Sequence, residues 1–377
     1  MASTQHPAPA VPLRVGLVGC GWICGVYADS FAEVPDAQVV ACCAGHPERA
    51  RAFADARGIP HACASWEELV AREDVDLVAV GSPNRLHHPV AMAALAAGKH
   101  VVVEKPLAVT LEQCQQIADE ASARGLLAGY AENLCFAPKY EKVRDLITSG
   151  ELGRVHHVRQ LEKHGGPHTR WFYEDDAAGG ALFDMGCHSI ELVRWLLGKP
   201  AVTAVWAHMA TVVHDTELDD HCVIHLEFAS PEGSERPATD RDAPGPTALL
   251  EAGWSLEGGM VSDLHVQGTA GVASASLLGD GMGLRAFTER GEERGWRAVD
   301  VDWHRANGYP QQLAHFVRCA RTGETPIESA ADGVAVMEFM LAAYESAGTG
   351  RKVSLPFRPA GVARPVDLWK RPRGRKP

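Results

Sequence analysis

The chain has 377 residues, too many for one ordinary core, so two structural units are expected. With 46% hydrophobic and 22% charged residues it reads as a soluble globular protein. A net charge of −12 disfavours a nucleic-acid surface, despite the basic end formed by Lys370, Arg371, Arg373, Arg375 and Lys376.

Residues 1–12 form a disordered arm in this reading, with neither the charged region nor the apolar region of a signal peptide. No apolar run approaches the ~18 residues that cross a bilayer, so no membrane contact is expected. From residue 13 to about 133, short apolar strands alternate with helical stretches. The strands fall at 14–18, 37–43, 77–80, 100–103 and 126–129, with helices such as 47–57 and 89–97 between them. Continuous apolar strands alternating with helices predict an α/β, doubly wound parallel sheet covered on both faces. Beyond Pro138 the pattern changes. Helices at 140–149 and 188–197 precede alternating strands at 204–214, 221–228, 247–256, 262–267 and 272–277, and helices return at 308–322 and 331–346. This predicts a second, α+β unit over 134–357, carrying a large, mostly antiparallel sheet with one open face. Residues 230–246 are expected to be a mobile insertion, and 358–377 a tail.

The cysteines are not arranged as a disulfide framework. Cys42 and Cys43 are adjacent in a strand, Cys20 and Cys24 share a glycine-rich turn, Cys187 opens a helix, and no CxxC pair occurs. Reduced thiols in a cytoplasmic protein are expected.

Chemistry gathers at strand ends. Val15-Gly16-Leu17-Val18 leads into Gly19-Cys20-Gly21-Trp22-Ile23-Cys24-Gly25. Gly19 permits a tight bend, Gly21 lets the backbone approach a phosphate, and the helix from Trp22 aims unpaired N–H groups at the anion. Cys24 replaces the usual third glycine. About 20 residues on, where an acid would read a ribose, stands Ala44-Gly45-His46-Pro47-Glu48-Arg49. Without that acid, His46 and Arg49 leave NAD and NADP both open. After the third strand, Ser82, Pro83, Asn84 and His87 lie at the same sheet edge, as do Glu132 and Asn133 after the fifth. A β-branched run ends in Glu104-Lys105-Pro106, delivering a lysine where open α/β sheets bind ligands.

Further on, Gly179-Gly180-Ala181-Leu182-Phe183-Asp184-Met185-Gly186-Cys187-His188 places Asp184 and His188 four apart, one turn of a helix. A carboxylate there can hold the tautomer of a general base. The pair also suits a metal, although no third ligand is near, or a plain helix start with a satisfied histidine.

These segments resemble the Gfo/Idh/MocA oxidoreductase family: Gly-Cys-Gly-Trp-Ile, Pro83-Asn84 with His87, Gly98 through Pro106, and the Gly-Gly…Asp-x-Gly-x-His stretch. The likeness continues through Gly268-Thr269-Ala270-Gly271, Ala343-Tyr344-Glu345-Ser346 and Val353-Ser354-Leu355-Pro356, spanning about residues 13–357. It implies an NAD(P)-binding Rossmann domain over 13–133, a second domain whose open sheet forms a homodimer or homotetramer, and no metal. By motif position Lys105 and His188 would contact the reacting hydroxyl, with Asp184 supporting. The stretch from Glu162 to Trp171 is polar and aromatic for a strand-to-loop junction and is similar to a branch acting on sugars or glycosides. There Trp171 would stack on a pyranose while His164 and His168 bind hydroxyls. Tyr309, Gln312 and His315 form a polar helical stripe that reaches toward the same pocket. The function expected is NAD(P)-dependent oxidation of a secondary hydroxyl of a sugar, inositol or glycoside. The alternatives are a cofactor-retaining enzyme that cleaves a glycoside by oxidation and elimination, and a non-catalytic NAD(P) sensor.

Overall fold

The computed structural model describes residues 11–167, 169–173, 179–230, 244–278, 283–289, 294–299 and 307–370. Most of the expected arm, most of the 230–246 insertion and the last residues of the basic tail lie outside these.

The first half alternates strand and helix: β1 Leu13–Val18, α1 Trp22–Phe31, β2 Ala37–Cys43, α2 Pro47–Arg57, β3 His61–Cys63, α3 Trp66–Ala71, β4 Leu77–Val80, α4 His87–Ala96, β5 His100–Glu104, α5 Leu111–Arg124 and β6 Ala128–Ala131. All six strands are parallel, in the order β3-β2-β1-β4-β5-β6. That order reverses between β1 and β4, which opens the crevice where such sheets take nucleotides. The strands β4 and β6 are buried at every residue, as a sheet covered on both faces requires. The helix α2 matches its expected bounds because both ends are signalled: Pro47 starts it and Gly58, at φ 65°, ends it in the left-handed conformation. The strand β3 and helix α3 are too short to leave a periodic signal.

The second half begins with α6 Pro138–Thr148, β7 Val155–Lys163 and α7 Cys187–Leu196. It continues through β8 Val202–Ala210, β9 His221–Phe228, β10 Thr247–Gly253, β11 Val261–Gly268, β12 Gly271–Ser276, β13 Leu284–Thr288 and β14 Gly295–Ala298. Helices α8 Tyr309–Thr322 and α9 Ala330–Thr349 and the short β15 Val353–Ser354 follow. The nine strands form one sheet, β14-β13-β12-β11-β7-β10-β9-β8-β15, with β7–β10 its one parallel pair among the described residues. Burial alternates strictly along β9 and β12, so one face is covered and the other is open. The sequence pattern marks only the end of β7. Its inward positions include Gln160 and Glu162, both buried, where an apolar residue would have shown the period.

The two halves share a core. One apolar cluster runs from Val78 and Val103 to Ile224 and Leu250. The late helices also return to the first sheet, α8 against α1 and α9 against α5. Phe316 sits so close over β6 that a Cβ on Gly129 would come within 2.8 Å of it. Residues 358–370, expected as a tail, fold back instead: Val366 and Leu368 are buried and Arg358 Nε donates to Glu338 at 2.8 Å.

Between α7 and α9 lies a buried charge network. Arg194 donates to both oxygens of Glu191 (2.7 and 2.6 Å) and to Asp332 (3.0 Å), and Lys199 Nζ reaches Asp332 (2.8 Å) and Glu328 (3.1 Å). Burial pushes the Glu328 carboxyl well above its ordinary range, which brings the acids toward balance with the two cations. Breaking a buried pair strands a desolvated charge. Arg194→Met should therefore lower the unfolding free energy by about 3–5 kcal/mol, read as a fall in the urea midpoint with an unchanged slope.

Candidate active site

At the end of β1, Gly19 adopts φ 117°, and a Cβ there would lie 2.7 Å from the Gly81 carbonyl oxygen. Glycine is needed twice over, for conformation and for contact. Gly21 caps α1 without a side-chain partner, and a Cβ on it would meet nothing within 4 Å. The open space lies in front of the helix N-terminus, where N–H groups await an anion. Cys24 is buried, and its Sγ packs against Gly19 and Gly81, so the third small position serves close helix–strand packing. Trp22 is exposed beside the turn, with Ile23 half-buried behind it. Ala44 is half-buried at the tip of β2, while His46 and Arg49 are exposed there.

After β4, Ser82 Oγ is buried without a partner, Pro83 precedes a short 3-10 turn, and Asn84 is buried. His87 corrects an expectation. It points inward, with Nδ1 2.8 Å from the Pro106 carbonyl oxygen and Nε2 2.9 Å from that of Ser82. Burial holds its pKa below the usual imidazole value, and the neutral ring sits between the two loops, donating to one of these carbonyls at a time. Glu104 accepts from Tyr27 Oη at 2.5 Å and from the Lys105 N–H at 3.1 Å. Asn133 Nδ2 donates to the Asn307 carbonyl at 2.7 Å, tying the end of β6 to the approach to α8.

Lys105 Nζ donates to the Asp184 carbonyl oxygen at 2.8 Å and to its Oδ1 at 3.0 Å. Burial works against the ammonium, but the Asp184 carboxylate outweighs it, with Cys187 and Glu104 adding, and the Lys105 pKa is raised. Asp184 is more enclosed still, its side chain 2% exposed against 16% for Lys105. Burial would raise its pKa, yet Lys105 and His164 hold the carboxyl far below the usual range. Its Oδ2 accepts from Trp254 Nε1 at 2.8 Å and lies 3.6 Å from His164 Nε2. The pair is thus charged through the neutral range.

The Asp184–His188 pairing is a second correction. His188 Nδ1 lies 2.8 Å from both oxygens of Glu132, at the end of β6. Residues Leu182–Gly186 form a π-helical turn, whose wider spiral spoils the four-residue stacking of an α-helix. Asp219 anchors that turn, accepting from the N–H groups of Gly180 (3.2 Å) and Leu182 (2.7 Å) and from Tyr344 Oη (2.7 Å). A Cβ on Gly180 would fall 2.0 Å from the Asp219 carbonyl oxygen, so this glycine admits the segment leading into β9, while a Cβ on Gly179 would meet Phe183 and Tyr344. With Nδ1 committed, His188 Nε2 has no hydrogen-bond partner among the described residues.

The expected sugar-binding stretch divides. His164 is buried beside Asp184, with Nε2 3.0 Å from Met185 Sδ. His168 lies outside the described residues. One face of Trp171 is taken by Phe172, stacked at 3.9 Å. Phe172 and Tyr173 in turn meet the edge of Trp254. On α8, Tyr309 packs against Trp22 and Tyr27, and its hydroxyl feels Glu104, Lys105 and Glu132, all of which belong to this site. Gln312 is fully buried with neither amide atom bonded. His315 leaves the stripe: its Nε2 accepts from the Ile327 N–H at 2.9 Å, and its ring packs on Phe136. Glu191, Glu328 and Asp332 are the one trio with metal-ligand spacing among the described residues, and Arg194 and Lys199 already face them. Trp254 and Tyr27 belong to the site without having been singled out for it, and Glu162 was marked only as the start of its polar stretch. Trp254 is distant in the chain, and neither it nor Tyr27 follows a motif.

The description "Oxidoreductase family, NAD-binding Rossmann fold" matches residues 13–131. "GFO/IDH/MocA C-terminal domain" matches 140–274, and "Oxidoreductase family, C-terminal alpha/beta domain" matches 243–355. The chain is 31% identical over 311 residues to D-xylose 1-dehydrogenase (NADP(+)) 2 of Haloferax volcanii, covering 81% of this chain and 89% of the relative. It is 33% identical over 201 residues to D-glucoside 3-dehydrogenase of Escherichia coli, which is 52% of this chain and 57% of that enzyme. It thus spans little more than half the length of that relative. Among solved structures, GenD2 from gentamicin A biosynthesis in complex with NAD superposes with a TM-score of 0.79 at 31% identity, over 95% of this chain and 100% of that one. A levoglucosan dehydrogenase complex with NADH shares the fold, with a TM-score of 0.81 at 23% identity over 92% and 99%. Matched in this way from residue 13 to residue 355, the chain belongs to the Gfo/Idh/MocA oxidoreductase family.

Proposed function

We propose that the protein oxidises a secondary hydroxyl of a sugar, inositol or glycoside, with NAD or NADP as hydride acceptor. The observation that carries this reading is the meeting of a charged lysine and a carboxylate-held histidine at the nucleotide edge of the first sheet. The residues present fit a dinucleotide. Gly21 leaves a cradle that a side chain would fill, α1 offers uncapped N–H groups, and Ser82 Oγ is a buried polar atom without a partner. Gly19, Gly21, Trp22 and Ile23 would hold the pyrophosphate, Ala44, His46 and Arg49 the adenosine side, and Ser82, Pro83, Asn84 and Asn133 the far end. A nicotinamide held by these residues would supply the acceptor for the hydride that leaves the carbinol carbon with its electron pair.

The chain's own side chains handle the proton. Glu132 fixes the tautomer of His188 and stabilises the imidazolium, leaving Nε2 to take the hydroxyl proton. Lys105, kept positive by Asp184, donates to the substrate oxygen and stabilises the negative charge that develops there. Asp184 therefore serves Lys105, and Glu132 takes the role first expected of Asp184. Trp254 and His164 hold that carboxylate in place and bound the substrate side with Trp171 and Tyr309. The names of D-glucoside 3-dehydrogenase and D-xylose 1-dehydrogenase among the relatives support the substrate class. The open face of the nine-stranded sheet, with Trp206 exposed on β8, suits a homodimer or homotetramer. Ten cysteines without a disulfide fit a reducing compartment, and we assign the protein to the cytoplasm. No helix among the described residues is long and apolar enough to cross a membrane.

Two variants test the reading. Gly21→Val should fold normally, because the added side chain enters open space, yet weaken NADH binding by about tenfold or more, or ~1.4 kcal/mol. Tryptophan fluorescence titration beside a thermal melt reads both. Lys105→Met should cut turnover by about 10²–10³-fold while nucleotide affinity stays within a factor of about three. Nicotinamide absorbance over a panel of sugars, inositols and glycosides gives the rate, and normal turnover in this variant would sink the proposal.

A further inference from the structure

The strand β7 turns an unusual row of side chains into the interior. Gln160, Glu162 and His164 alternate along one face, each at most 5% exposed, and they look toward α7 and the π turn before it. Each end of the row is tied to that segment: Gln160 Oε1 accepts the Ser189 hydroxyl, and His164 lies against Met185 and Asp184. Glu162 lies between these anchors, and His188 lies in the α7 segment they bracket. Its Oε2 accepts from Ser262 Oγ, directly opposite on β11, at 2.6 Å and from Gln160 Nε2 at 2.8 Å. Tyr140 of α6 bonds Ser262 in turn, with Oη 2.8 Å from Oγ. A chain of neutral donors thus crosses from α6 to α7 through this carboxyl. No cation pairs with Glu162 among the described residues, and its Oε1 has no hydrogen-bond partner among them. Lys105, His188 and the charges at α9 are each matched by other acids.

A buried carboxyl held only by neutral donors takes up a proton readily, and Oε1 is where the proton would sit, since Oε2 already accepts two bonds. We propose that Glu162 is a positioning residue whose charge is coupled to that of His188: ionised, it stabilises the imidazolium that His188 becomes when it takes the substrate proton. The inference rests on the dehydrogenase reading above and adds a residue to its proton machinery. The groups facing Glu162 are His188 from α7, Glu132 from the end of β6, Tyr140 from α6 and Tyr309 from α8. Burial pushes the Glu162 carboxyl up to about 7, while His188 pulls the other way and Glu132 adds to the rise. The sign follows. Below about 7 the carboxyl is neutral and the imidazolium loses a supporting charge, and above it the support is present.

The test is a carboxyl carbon NMR titration of protein labelled on glutamate, without cofactor or substrate. Besides other buried acids such as Glu328, one glutamate should titrate near neutrality that vanishes in Glu162→Gln and moves to higher pH in His188→Gln, because coupling between two sites is reciprocal. A midpoint unmoved in His188→Gln, or no near-neutral glutamate that substitution of Glu162 removes, overturns the inference. If Glu162→Gln fails to fold, Glu162→Asp keeps the buried carboxyl while removing the labelled glutamate, and makes the same assignment. With a turned-over sugar, Glu162→Gln should also lower kcat most above neutrality and flatten the acid side of its pH profile, whereas a purely structural role would scale all pH values alike. The titration needs no turnover, so an inactive protein with a coupled Glu162 would refute the dehydrogenase reading separately.

Discussion

Lys105 stands at the end of β5, and Asp184, whose carboxylate it meets, lies 79 residues later in the π turn before α7. Neither charge would tolerate its burial alone. Moving an unpaired ammonium or carboxylate out of water costs several kcal/mol even after relaxation. The pair therefore obliges the edge of the first sheet and the start of α7 to stay together, with Trp254 and His164 completing the carboxylate's shell. Such a pair contributes little net stability against an apolar substitute. What it contributes is placement of a permanent positive charge where the two halves meet.

The same logic orders the rest of the interior. Acids sunk in this protein are sorted by the company they keep. Glu191 and Asp332 are bracketed by Arg194 and Lys199, Glu132 faces an imidazole, and Asp219 leans on backbone N–H groups and a phenol. Burial pushes the Asp219 carboxyl up to about 6, even with three donors. Its place, however, is structural, at the π turn rather than in the crevice. The turn it anchors swings His188 away from Asp184 and toward Glu132. A local departure from α-helical pitch thus decides which carboxylate serves which partner.

The strand and helix alternation of residues 13–131 was legible because its strands are buried on both faces and read as unbroken apolar runs. Helix bounds were legible where Pro47 and Gly58 punctuate them. Lys105, Asp184 and His188 stood out because each sits in a short motif at a strand or helix end. Their pairing did not, because four-residue spacing speaks only for an α-helix and the π turn carries no spacing signal. His87 looked like a cofactor contact, yet its ring sits between two carbonyls, a choice made by tertiary packing. The strand β7 was obscured by the same residues that interest the chemistry: polar side chains at inward positions erase the alternation that announces a strand. Trp254 reached the site by topology alone, and topology also gave Glu132, marked by its place after β6, its partner His188.

The return of α8 to the first sheet has a consequence for synthesis on the ribosome. Phe316 fills the space over Gly129, and Tyr309 closes over Tyr27 and Trp22 beside the nucleotide turn. A chain emerging in order offers the whole nucleotide-binding sheet long before these lids exist. Until about residue 322 has left the tunnel, the apolar groove beside α1 stays open to water and to other chains. Contacts closed over such separations form slowly. A truncation at the end of β6 would leave Gly129, Tyr27 and Trp22 permanently without these partners.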